Sequence, residues 1–106
     1  MRNMEDAVLS FISAIKASDE YQEYVREKER VKQYPDLKAQ IDEYRKRNFL
    51  LQTSPDTAFE QIEQFENEYA GFRENPMVSD FLAAELDFCR LMQGINIRVI
   101  DSLDFE

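Results

Sequence analysis

Residues 77–103 read MVSDFLAAELDFCRLMQGINIRVIDSL, and the apolar positions in this run decide the fold. At 100° per residue, Met77, Val78, Phe81, Leu82, Leu86, Phe88, Cys89, Leu91, Met92, Ile95, Ile97, Val99, Ile100 and Leu103 cover about two-thirds of a helix circumference. A helix lying on a protein surface needs an apolar stripe only a little over ~100° wide. This one must be covered on several sides. Four short helices of the same chain can do that, and a second copy of the chain does it more easily. Glu85 and Asn96 fall inside the apolar arc. Each needs a partner there, because a buried unpaired amide or carboxyl costs about 1–3 kcal/mol or more. A neighbouring helix can supply that partner, or the polar residue can fix the register of two associating helices. The spacing therefore puts 77–103 at the centre of a helical assembly. Phe81, Leu82, Glu85, Cys89, Met92, Asn96 and Val99 are expected in an oligomer core, most simply that of a homodimer.

Working outward, each proline marks a helix start. Tyr34-Pro35-Asp36, Ser54-Pro55-Asp56 and Asn75-Pro76 place Pro in the first turn, where its missing N–H costs nothing. Ser54 and Asn75 suit the cap position, and Asp36 and Asp56 suit the positive end of the helix dipole. Ser18-Asp19-Glu20 is either a further start or a kink, and Gly94 raises the same question within the last segment. These marks divide the chain into helices over 4–17, 19–33, 36–53, 56–74 and 77–103. Each has an apolar stripe at three-and-four spacing: Met4, Val8, Phe11, Ile12 and Ile15 in the first, Tyr21, Tyr24, Val25 and Val31 in the second. Leu37, Ile41, Tyr44, Asn48 and Leu51 follow in the third, and Ala58, Ile62, Phe65, Tyr69 and Phe72 in the fourth. No stretch alternates as a strand does. The expected fold is all-α: one domain over 1–106, with about five helices in an antiparallel bundle and the long C-terminal helix central.

Composition narrows the chemistry. The chain has 106 residues, no His, no Trp, one Cys and two Gly, with a formal net charge of −9. Without imidazole there is no Ser-His-Asp or Cys-His engine. Ordinary zinc sites and the Glu-x-x-His di-iron sites of bundles are excluded as well. Gly71 and Gly94 lie too far apart for a phosphate-cradling loop. Paired carboxylates such as Glu60/Glu63 and Glu63/Glu66 share a helix face, but they sit among many other acids and read as a solvated face. Cys89, with no activating neighbour on its side of the helix, reads as a small hydrophobe. The N-terminus lacks a signal-peptide pattern and no window is apolar enough to span a bilayer. Cytoplasm is the expected compartment, with no membrane partner.

The charge is uneven. Residues 26–47 carry eight basic and five acidic groups, and residues 48–106 carry three basic and twelve acidic. Arg45, Lys46 and Arg47 stand together as a candidate partner surface, and Tyr21 and Tyr24 form a second. A basic stripe of this kind steers an acidic partner. Direct nucleic-acid binding is not expected, since the net charge repels phosphate.

The run AIKASDEYQEYVREKERVKQYPDLKAQIDEYRKRNFLLQ resembles the YlbF/YmcA family of small helical bacterial regulators. The likeness falls on Ala14, Ile15, Lys16, Ser18, Glu20, Tyr21, Tyr24, Pro35, Asp36, Leu37, Tyr44 and Arg45. A later block, NPMVSDFLAAELDFCRLMQGIN, is similar to the family at Asn75, Pro76, Val78, Leu82, Ala84 and Glu85. The resemblance implies a cytoplasmic, oligomeric regulator without catalysis of its own. By resemblance it would act with other family members or with the endoribonuclease RNase Y in mRNA processing, and so on competence, biofilm formation and sporulation. Some complexes of that family carry iron–sulfur clusters. Four Cys ligands are usual for a cluster, and Cys89 alone cannot supply them, so no cofactor is expected. The alternative function is a passive helical subunit of a larger assembly.

Overall fold

The computed structural model describes residues 3–56 and 58–104. Six helices follow one another: α1 (Asn3–Ala17), α2 (Asp19–Lys32), α3 (Pro35–Thr53), α4 (Phe59–Glu68), α5 (Ala70–Glu74) and α6 (Pro76–Ser102). The described residues are 89% helical and contain no strand.

Most boundaries follow the local chemistry. Ser18 takes an extended backbone, its Oγ accepting from the Tyr21 N–H at 3.2 Å and donating to the Ile15 carbonyl at 2.6 Å. It therefore ends α1 and caps α2. Pro35 opens α3, and Asn75 Oδ1 accepts from the Met77 N–H at 2.9 Å to cap α6. Gly94 leaves α6 unbroken.

Two expectations are corrected. Ser54-Pro55-Asp56 does not start a helix: the Ser54 N–H donates to the Leu50 carbonyl at 3.1 Å and closes α3. Helix α4 starts instead at Phe59, where Gln61 Oε1 accepts from the Ala58 N–H at 3.0 Å. The segment expected over 56–74 is also two helices, divided at Tyr69 (φ −103°, ψ 7°). The Tyr69 ring is held by Tyr44, Phe65 and Phe72 at centroid distances of 5.0, 4.9 and 5.6 Å, and this packing outweighs continuous helical geometry.

The core lies at one end of the molecule. Val31, Ile41, Val78 and Phe81 form its buried cluster, with Tyr24, Leu37, Phe72, Met77 and Leu82 packed around it. Helix α2 runs antiparallel along the first half of α6, with Tyr21 and Tyr24 each 5.4 Å from the Phe88 ring and Arg30 3.0 Å from Asp80. Glu27, the buried acid of α2, is paired with Arg30 at 3.0 Å.

The other end is bare. Helix α1 has no buried residue, and only half-buried or exposed side chains follow Ala84 in α6. The chain's own helices thus cover α6 along its first half only. Helices α3, α4 and α5 all fold at the α6 N-terminal end, so α1 alone accompanies the remainder. Two helices cannot close a core. The radius of gyration is 17.6 Å, against about 13 Å for a compact domain of this length. The accessible surface is 8312 Å², where a folded monomer of this mass exposes about 6,200 Å².

Candidate functional site

The exposed apolar arm is the most prominent surface feature. Helix α1 contributes Met4, Val8, Leu9, Phe11 and Ile12, with fractional exposures between 40% and 77%. The second half of α6 contributes Met92, Ile97, Val99 and Ile100, and its C-cap adds Leu103, with exposures between 36% and 71%. An open groove between them is lined by Phe11, Ile95, Arg98, Val99, Ser102 and Leu103. Monomeric soluble proteins seldom expose contiguous apolar surface of this extent, and where they do it marks an interaction site. The α1 stripe was visible in the sequence as helix periodicity. That it would remain uncovered was not visible, because it depends on where α3–α5 fold.

The residues expected along the core of an oligomer divide between the two halves of α6. Phe81 is buried and Leu82 half-buried, both inside the chain's own core. Cys89, Met92, Asn96 and Val99 are exposed in the single chain. Cys89 is thus not a buried hydrophobe within one chain; it is the neighbouring Phe88 that packs on Tyr21 and Tyr24 of α2. Glu85 finds its partner on α3, where Arg45 Nη2 approaches its Oε2 at 2.6 Å. Burial raises the Glu85 carboxyl above its ordinary value, with Arg45 pulling it down and Asp42 pushing it up.

The basic stripe is largely engaged within the fold. Arg45 also approaches Asp42 at 3.4 Å and lies 5.8 Å from the Phe81 ring centroid. Arg47 Nη2 donates to Glu68 Oε1 at 3.2 Å, and its Nη1 donates to the Tyr69 hydroxyl at 3.1 Å. Its guanidinium lies 5.5 Å from the Phe65 ring and 5.1 Å from the Tyr69 ring. The hydrogen bonds to Glu68 and Tyr69 raise the Arg47 pKa further above its already basic value, and the same contact holds the Glu68 carboxyl below its usual range. Lys46 is exposed and makes no ion pair or hydrogen bond among the described residues. Tyr21 and Tyr24 are half-buried against Phe81 and Phe88, which leaves them little surface to offer a partner.

A groove of about 510 Å³ between α3 and α4 is lined by Arg47, Leu50, Gln61, Gln64 and Phe65 among others. It has the size of a small-molecule site, but its charged group is already paired and no carboxylate pair converges on it. Glu60, Glu63 and Glu66 are exposed on α4. No group of three His, Cys, Asp or Glu converges among the described residues. No helix among the described residues is long and apolar enough to cross a membrane.

This arrangement, an all-helical chain with a small core and an apolar arm, can be set beside known proteins. A UPF0342 protein of Caldicellulosiruptor bescii is 24% identical over 110 residues, a match that takes in 100% of this chain and 92% of that protein. No solved structure matches. The family model described as control of competence regulator ComK, YlbF/YmcA, matches residues 4–104. Because that match spans nearly all of the chain, the protein belongs to the YlbF/YmcA family of competence-control proteins.

Proposed function

We propose that the protein is a non-enzymatic cytoplasmic adaptor that works as a homo-oligomer, most simply a dimer, through protein–protein contacts. The observation that carries this reading is the bare arm of α1 and α6, with its large apolar side chains in solvent. The accessible surface exceeds that of a compact monomer by about 2,100 Å². Obligate dimers hide total areas of about 2,000–5,000 Å², so a second chain on the arm accounts for the excess. Self-association leaves the paired bodies outside the contact, with their acidic α4 faces and Lys46 available to other proteins.

The regulatory role extends the family's competence control to its finer form. In this reading the oligomer binds another family member or an endoribonuclease of the RNase Y type and modulates mRNA processing, with consequences for competence, biofilm formation and sporulation. The family assignment supports it.

Co-purification from the native cytoplasm under mild salt tests the proposal. Recovery of a nuclease or of a second family member, with loss of transcript processing on deletion, is the expected result. A protein that co-purifies only with ribosomes or a structural assembly, and whose deletion leaves transcripts unchanged, contradicts it and favours a passive subunit.

A further inference from the structure

The groove between α3 and α4 has apolar walls and an acidic side. Arg47, Leu50, Leu51 and Ser54 recur at three-and-four spacing and set one stripe of α3 along it. Gln61, Gln64 and Phe65 do the same for α4. Phe65 is buried, Leu51 half-buried and Leu50 54% exposed. Arg47 is held by Glu68 and Tyr69, so the cation that lines the groove offers little to an anion. Charge beside the groove is one-sided. Residues 48–72 carry five acidic and no basic residues. Glu66 is paired with Arg73 and Glu68 with Arg47, which leaves Asp56, Glu60 and Glu63 without an ion pair among the described residues. Glu60 and Glu63 line the adjoining face of α4 together with Gln64, which also lines the groove.

Resting on the reading of the protein as an adaptor, we infer that the α3–α4 groove takes a basic amphipathic helix of another protein. The α3 wall from Arg47 to Ser54 is about 10.5 Å long at 1.5 Å per residue, or about two helical turns. A third helix laid between two others over that length places two apolar side chains, one turn apart, against Leu50, Leu51 and Phe65. Its Lys and Arg residues then lie on the side of Glu60 and Glu63. The apolar anchors hold the complex, and the charges mainly orient it and speed its formation.

Charge selects this occupant over two others. Nucleic acid and other phosphate-bearing partners are repelled by the same acids. The basic stretch 26–47 of a second copy is a poor fit, because every base in it except Lys46 is engaged with an acid or a ring of its own chain. Two bodies from chains of net charge −9 also oppose one another there. A foreign helix rich in Lys and Arg meets neither obstacle.

Binding of a labelled helical peptide to the full chain tests the inference. The probe is an Ala-rich peptide, longer than the ~15 residues below which isolated helices are marginal, with two Leu four residues apart on one face and Lys on the other. Leu50→Asp should weaken its binding by about tenfold or more, since a carboxylate then faces the apolar anchors. Glu60→Gln/Glu63→Gln should slow association severalfold at low salt and leave the rate unchanged at high salt. Glu5→Gln/Asp6→Asn, which removes the same charge from exposed positions of α1, should leave the rate as it was. The α4 double variant alters no buried side chain, so it decides the question even if Leu50→Asp fails to fold. Peptides with Ala for the two Leu, or with Glu for Lys, should not bind. A probe that does not bind, or whose binding survives Leu50→Asp in a folded protein, overturns the inference. So does a loss of rate that is the same for the α1 and α4 variants. Sedimentation of the same samples keeps the two readings apart. A mass of 12.6 kDa with groove-dependent binding contradicts self-association alone, and a dimer that ignores the probe contradicts the groove alone.

Discussion

Glu85 shows how one side chain can serve the fold and cost it at once. Its carboxylate is held half-buried between Leu82 and the Tyr44 face of α3, with Arg45 at 2.6 Å. Desolvation outweighs the attraction, so its folded pKa lies above the ordinary value. The sign follows directly: the folded state binds the proton more tightly than the unfolded one. The stability this gives is fully present below the unfolded pKa and is lost as pH rises through the folded pKa. Glu85→Gln should accordingly be more stable than the parent at pH 7, and the difference should vanish as pH falls through the carboxylate range. Urea denaturation at several pH values checks this, and a difference that grows on acidification would contradict it. Ile41, 1% exposed, offers a packing control: Ile41→Ala should lose about 2–5 kcal/mol. Phe59→Ser, at a residue 75% exposed, should change stability by no more than about 0.5 kcal/mol. The sequence identified Glu85 as a polar residue in an apolar arc, but its partner Arg45 was read as a docking residue. Nothing in linear spacing says that the start of one helix lies across the middle of another.

At the scale of elements, caps and periodicity carried most of the legible information. Ser18, Pro35 and Asn75 mark helix starts because each satisfies or dispenses with an exposed amide, a short-range effect that is written locally. Ser18→Ala should therefore cost about 1 kcal/mol, measured by thermal unfolding, with α1 and α2 still helical. The same logic failed at Ser54-Pro55 and at Tyr69. In the first case α3 had a stronger claim on the Ser54 N–H. In the second, aromatic packing from Tyr44 and Phe72 bent a segment whose own periodicity was continuous. The first failure is local, a hydrogen bond to a carbonyl four residues back, whereas the second involves Tyr44, a contact distant in sequence. The basic stripe of α3 belongs with the second: Arg47 reads as surface charge until Glu68, Tyr69 and Phe65 close on it.

The whole molecule is a small body with a long apolar arm, 53 Å in its largest extent and 18 Å in its smallest. The excess of apolar positions in 77–103 was legible in the sequence and is the same feature that appears as bare surface on the second half of α6. Met92 is 36% exposed in the single chain, so Met92→Asp should leave the body folded while setting a charge into any seam that covers the arm. The expected outcome is a fall in mass with most of the far-UV helical signal retained; complete unfolding of dilute protein would contradict that separation of arm from body. The most direct measurement is sedimentation equilibrium of the unaltered chain from low micromolar to high micromolar concentration. A second copy on the arm predicts about twice 12.6 kDa, persisting at moderate salt because the contact is apolar. A mass of 12.6 kDa throughout, with the arm soluble on its own, would contradict it.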